Sequence, residues 1–377
     1  MEPHLQLGWH LRQRILPALA RIDGLEGELP RVAQVVRGLV GGDLDFDLRQ
    51  GPRHPSNLCE AQASLELAYT FGGREQCGLR YSTEPLAPRG VLRNRYTVFR
   101  DRLLRLMREL APGYDVALLQ RLFFVGVPRR AAADTDTTIT IAAVHHYRDR
   151  PPRLKAYFSC DWDNPGRARA SAQALIGQAG SDELEAQART FHRFYSPQGG
   201  VRMVGFDFEP GRAVEVKLYK TGEGLRPRSL ARLIEEAGGG SEAQQGVQVF
   251  RDVFLDGATD PALFDLVSRA LRRGGGPGLK LYIRPADLYD DAEALRRLRN
   301  WYGYLGKTEE LAMVERGLAT VAPLEVIGAT RGFFNYFSVD VGHHGVSKTS
   351  VYYTPQIPLM HLARHDAGRL QELAAEV

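Results

Sequence analysis

Cysteine is scarce in this 377-residue chain: Cys59, Cys77 and Cys160 are an odd number, without metal-ligand spacing and with no histidine cluster beside them. That argues against a disulfide-stapled scaffold or a thiolate metal site, and it predicts reduced thiols in a cytoplasmic protein. Long apolar runs are lacking as well. Leu5, Leu7, Trp9 and Leu11 are interrupted by His10, Arg12 and Arg14, which breaks any signal-peptide core, so a soluble chain without a membrane partner is expected. Charge is not gathered by sign: 49 Lys and Arg stand against 45 Asp and Glu, scattered along the chain. So mild an excess does not imply a nucleic-acid partner, and a buried anion site would account for part of it.

Several chemical motifs are missing in the same way. Gly238-Gly239-Gly240 and Gly274-Gly275-Gly276 lack the following Lys-Ser/Thr of a phosphate loop and read as connections. Asp290-Asp291 has no second acidic cluster to hold a metal-bound diphosphate and reads as an acidic helix start. The pairs His145-His146 and His343-His344 have no further metal ligands and are expected as exposed turn residues.

What is present is repetition. Leu154-Lys155-Ala156-Tyr157, Val216-Lys217-Leu218-Tyr219 and Leu279-Lys280-Leu281-Tyr282 place their lysines 62 and 63 residues apart. Relatives of the motif stand at Leu79-Arg80 and at Lys348 to Tyr352. Each closes a strand-turn-strand pattern, with turns at Phe71 to Arg74, Arg148 to Pro152, Glu209 to Arg212, Arg273 to Gly278 and Gly342 to Gly345. Five units and ten strands follow. Between them Arg95 to Leu110, Arg167 to Phe191, Pro227 to Ala237 and Ala292 to Leu318 carry helical periodicity, and helix, helix, strand, strand is the recurring order.

Alternation within the strands assigns their faces. Leu279, Leu281 and Ile283 share one side, with Lys280, Tyr282 and Arg284 on the other. In the first strand Cys59, Ala61, Ala63, Leu65 and Leu67 oppose Glu60, Gln62, Ser64 and Glu66. The apolar side seats helices, so a closed sheet turns its polar side to the lumen and holds a ligand cavity rather than a dry core.

At Leu58-Cys59-Glu60-Ala61, Leu154 to Tyr157, Gly205 to Phe208 with Val216 to Tyr219, and Val351-Tyr352-Tyr353, the chain resembles the ABBA-barrel aromatic prenyltransferases. The similarity is closest to the branch acting on cyanobactin-type peptides, and the ordered motifs run from about residue 55 to 355. Longer hairpins and an N-terminal helical segment depart from the compact peptide-modifying members. The resemblance implies an α+β fold: a single domain over 1–377, with a ten-stranded antiparallel barrel, a solvent-filled lumen and an outer ring of helices.

It also implies a chemistry that the lumen residues can be weighed against. Ionising a prenyl diphosphate requires cations converging on the leaving group, and Arg80, Lys155, Lys217, Lys280, Arg284 and Lys348 take that place. One lysine on a strand is ordinarily a solvated surface residue; recurrence in register changes that reading. Tyr157, Tyr219, Tyr282 and Tyr352 share the cations' face and are expected to shield an allylic carbocation. Strand packing alone is the competing account for any one of them.

Glu60 is expected to deprotonate the acceptor, with Glu66 as the competing carboxylate and Glu215 as an ion-pair partner of Lys217. The expected reaction moves a dimethylallyl or geranyl group from its diphosphate to a Tyr, Trp or similar side chain of a ribosomal cyclic peptide. The alternatives are a free indole or other small aromatic acceptor, and a non-catalytic isoprenoid-binding barrel. No cofactor is required by the sequence beyond the diphosphate, with magnesium as its optional companion, and a monomer is expected.

Overall fold

The computed structural model describes residues 2–40, 44–52, 56, 58, 64–71, 79–84, 92–126, 140–160, 164–196, 199–226, 228–343 and 345–375. Ten strands form one closed antiparallel barrel: β1 (Leu65–Phe71), β2 (Arg80–Thr83), β3 (Thr140–His145), β4 (Arg153–Ser159), β5 (Val201–Phe208), β6 (Glu215–Lys220), β7 (Leu266–Leu271), β8 (Gly278–Ile283), β9 (Phe334–Gly342) and β10 (Gly345–Tyr353). Each strand pairs with its sequence neighbours, and β1 pairs with β10 to close the ring. Closure leaves no unpaired strand edge.

The alternation expected from the sequence is present. On β4 the burial pattern swings at every residue, with Leu154, Ala156 and Phe158 at 0% exposure and Lys155 and Tyr157 half-buried. Val204, Phe206 and Phe208 on β5 and Val216 and Leu218 on β6 join the same outer layer. Helices cover it, among them Leu92–Leu110, Pro165–Gly177, Asp182–Arg193, Ser241–Leu255 and Asp291–Tyr304. Each large apolar side chain sealed there contributes roughly 1.5–3 kcal/mol. The principal core is therefore a shell between sheet and helices, which frees the lumen for polar groups.

Some expectations hold and others need correction. The first described strand starts at Leu65, and Cys59 to Ala63, with Glu60 among them, lie outside the described residues. Arg167 to Phe191 and Ala292 to Leu318 each hold two helices, in keeping with the expected helix, helix, strand, strand order, and are divided near Gly180 and Gly306, both with φ near +65°. A left-handed residue ends an α-helix, and glycine takes it without a Cβ clash. His145 and His146 are not exposed. Both are 1% accessible, because β3 runs through His145 and the Tyr81 hydroxyl meets His146 Nε2 at 3.3 Å.

At the N-terminus, helical turns Leu7–His10 and Leu16–Ile22 flank a π-helical turn at Leu11–Ile15. Pro17 cannot donate to Gln13, and a widened turn just before it accommodates that loss. Among the described residues no helix is long and apolar enough to cross a membrane.

Candidate active site

The described hairpin turns between β3 and β4, β5 and β6, and β7 and β8 lie at one end of the barrel, and a cavity of about 480 Å³ opens there, lined by residues of the turns and of the lumen. Its wall is built by the motif strands, since β4, β6, β8 and β10 each turn a Lys and a Tyr inward. Lys155, Lys217, Lys280, Lys348, Tyr157, Tyr219, Tyr282 and Tyr352 all line it, with Arg80 from β2. Sequence reasoning thus placed nine residues in one cavity.

The cations form the layer nearest the turns. Lys155 Nζ and Lys217 Nζ both donate to Asp207 Oδ2, at 2.7 and 2.8 Å, and Lys217 also meets Glu215 Oε1 at 2.8 Å. Across the lumen Lys280 Nζ lies 2.9 Å from Ser350 Oγ and 3.3 Å from Asp340 Oδ2. Arg80 donates to Thr70 Oγ1 at 2.9 Å, and Thr70 bonds Ser350 at the same distance, so hydroxyls link the two cationic sides. Among the described residues the lining carries Arg80, Arg153, Lys155, Lys217, Arg272, Lys280 and Lys348 against Glu215, Glu236 and Asp340, with Asp207 bonded to Lys155 and Lys217 and Glu209 to Arg153, so cations remain in excess. Such a layer attracts a multiply charged anion.

The ionisation of this layer is uneven. Burial would raise the Asp207 carboxyl, but Lys155 and Lys217 outweigh it and hold the group well below its usual range. Burial, aided by the charges of Lys217, Arg153 and Arg80, brings Lys155 down to about 7 in spite of Asp207. Lys217 is held up, because Asp207 and Glu215 together overcome its burial.

Behind the cations stands a layer of rings. Tyr157 and Tyr219 are 5.7 Å apart by centroid, Tyr219 and Tyr282 6.2 Å, and Tyr282 and Tyr352 6.2 Å. On one side each pairs across the sheet with a small residue, Gly205, Ser268, Ser338 and Ala68 respectively, and on the other with Ile141, Met203, Leu266 and Tyr336. A Cβ at Gly205 would meet the Tyr157 ring at 2.9 Å, so only glycine allows that approach. Lys280 Nζ sits 5.5 and 5.7 Å from the Tyr282 and Tyr352 centroids, which shows these faces already receiving a cation.

Toward the opposite end, Tyr336 and Leu266 continue the aromatic cluster, and Tyr336 donates to Asp265 Oδ2 at 2.9 Å. Glu66, on the inward face of β1, is 5% exposed and accepts from the Asn335 side chain. Burial pushes its carboxyl up to about 7, against the pull of Asn335, Ser82 and Arg284. Arg284 belongs here rather than with the other cations. It follows β8 four residues after Lys280, about 13 Å along an extended strand, and its charge reaches Glu66 and Tyr336.

Sequence reasoning missed Arg153, Asp207 and Asp340 as members of the cationic layer. For Arg153 the signal was there, two positions before Lys155 on the same face. Asn335 and Asp265 had none, because they enter from other strand ends.

No protein-family model matches the chain, and no curated protein matches it. The fold is nevertheless defined: the closed ten-stranded barrel ringed by helices is that of ABBA-type aromatic prenyltransferases. Among solved structures, 6-dimethylallyltryptophan synthase from Micromonospora olivasterospora in complex with DMASPP and Trp is similar at TM-score 0.75 and 20% identity, over 93% of this chain and 98% of that one. 5-Dimethylallyl tryptophan synthase from Streptomyces coelicolor, also with DMASPP and Trp, gives 0.73 and 17%, over 96% of each chain. AnaPT from Neosartorya fischeri gives 0.68 and 15%, over 93% of each. The cyanobactin-type likeness expected from the sequence is not shown by these structures.

Proposed function

We propose that the protein is an aromatic prenyltransferase that moves a dimethylallyl group from its diphosphate to an electron-rich aromatic ring, with the indole of free tryptophan as the first acceptor to test. The observation that carries this reading is the stacking of a cationic layer directly on a layer of tyrosine rings, both lining one cavity. A prenyl diphosphate carries about three negative charges on its leaving group, and the cation-rich lining complements them. The prenyl chain then lies among the rings, which favour an allylic cation and keep water from it.

Charge develops on the diphosphate as the C–O bond breaks, so Lys155, Lys217, Lys280 and Lys348 stabilise that transition state more than the ground state. The aromatic carbon attacks the allyl cation, and the proton lost from the resulting arenium ion goes to a base. Glu66 fits that role, a buried carboxylate near neutrality on the inner face. Glu60 lies outside the described residues and is tested beside it.

Support for tryptophan comes from the two similar structures solved in complex with DMASPP and Trp. The test is to give purified protein dimethylallyl or geranyl diphosphate with tryptophan, tyrosine, or cyclic peptides containing either, with magnesium or with EDTA. A mass gain of one prenyl unit on tryptophan is expected. Product only on the peptides moves the acceptor to the peptide class, and no product from any combination leaves a binding barrel.

A further inference from the structure

A carboxylate stands where an incoming diphosphate should be repelled. Asp207 projects inward from β5, 4% exposed, with Oδ2 shared between Lys155 and Lys217 at 2.7 and 2.8 Å and with Oδ1 unpartnered. Register places it directly across from Lys155 on β4 and from Glu215 on β6. A single oxygen therefore joins the cations of the two flanking strands.

Its surroundings explain why it is there. Among the described residues the other charged neighbours of Lys155 are Arg80 from β2, Arg153 on its own strand and Lys217 from β6, all positive, with His145 facing from β3. Glu215 serves Lys217 and Arg272, and across the lumen Asp340 serves Lys280. Without Asp207 the Lys155 ammonium would be buried among like charges, and a buried ammonium in that position sheds its proton. A neutral amine is a poor ligand for a phosphate oxygen.

We propose that Asp207 is a positioning residue for the diphosphate: before the donor arrives it aims the Lys155 and Lys217 side chains at one point and favours their charged forms, and it yields them to phosphate oxygens on binding. This rests on reading the cavity as a diphosphate site. The ammonium groups carry three N–H donors each, so they can keep one bond to Asp207 while turning others to the ligand. The carboxylate thus sets the protonation state of the site rather than merely cancelling charge.

The experiment titrates inorganic pyrophosphate into the wild type, Asp207→Asn, Asp207→Glu, Lys155→Met and the Lys155→Met/Asp207→Asn double variant by calorimetry, between pH 6 and 8.5, in two buffers of different ionisation enthalpy. Asp207→Asn should bind within about threefold of wild type at pH 6 and at least about tenfold more weakly at pH 8.5, the effect of one unit of lysine pKa, with more protons taken up on binding. Asp207→Glu should restore most of the alkaline affinity. In the Lys155→Met background Asp207→Asn should add much less pH dependence, which a purely structural role would not produce. With prenyl donor, the KM for the donor should follow the same pH course while that for the acceptor stays fixed. Equal weakening at both pH values, or tighter binding throughout, overturns the proposal. Pyrophosphate binding to none of the proteins at any pH overturns the diphosphate reading itself, and this proposal with it.

Discussion

Glu66 is pulled two ways, and the difference can be measured. Its value near 7 lies above the ordinary 4.5 because burial disfavours the anion. The native state therefore holds its proton more tightly than the unfolded chain. Stability from this group is complete below about pH 4.5 and is lost as pH rises through about 7. Glu66→Gln, which cannot ionise, should melt at a higher temperature than wild type at pH 8 and within error of it at pH 4. Function runs the other way. A base must be ionised, so wild-type transfer should rise through about pH 7, and Glu66→Gln should lose transfer by roughly 10²–10⁴-fold while still releasing diphosphate from the donor. Unimpaired transfer in Glu66→Gln would remove it from the mechanism and turn attention to Glu60.

The hairpin is the element on which both fold and site depend, and it was the most legible part of the sequence. A Lys-x-Tyr pair recurring every 62 or 63 residues reveals register and face at once, because strand side chains alternate with a strict period of two. The partner strands were less legible, since Gly205, Ser268, Ser338 and Ala68 carry no chemistry that marks them. Their role lies in pairing with Tyr157, Tyr219, Tyr282 and Tyr352. Large and small residues alternating around a barrel leave room between the rings. Gly205→Ala should tilt Tyr157 away from Tyr219 and lower kcat/KM for the donor by about tenfold, roughly the 1–3 kcal/mol of an overpacked core, with folding retained. A wild-type rate in that variant would show that the ring spacing is not limiting. What stayed hidden depends on distance along the chain: the Asn335 contact to Glu66 spans 269 residues. The helix Ser241–Leu255 was hidden differently, by the glycines before it, which read as connection and drew attention from the periodicity that follows.

At the scale of the whole molecule, burying so many titratable groups around a barrel sets how the protein responds to acid. Four histidines are held below the usual 6.5, chiefly by burial: His10 at about 4, His146 and His192 at about 3, and His145 well below. A depressed histidine favours the folded state above pH 6.5, and that stability is lost as pH falls, because the unfolded chain takes protons the native one refuses. Two carboxyls act in the opposite sense, since burial raises Asp23 and Glu66 to about 7 and the native state is protonated there first. Between about pH 6 and 5 the unfolded chain thus binds about two more protons than the folded one, and stability should fall by about 3 kcal/mol over that unit. Denaturant unfolding at closely spaced pH values checks this. A slope near that of four protons would mean that Asp23 and Glu66 are ionised in the fold, and a rise in stability on acidification would contradict the buried neutral histidines. Glu66→Gln sharpens the test: with one opposing carboxyl gone, the same interval should steepen by about one proton, or about 1.4 kcal/mol per pH unit.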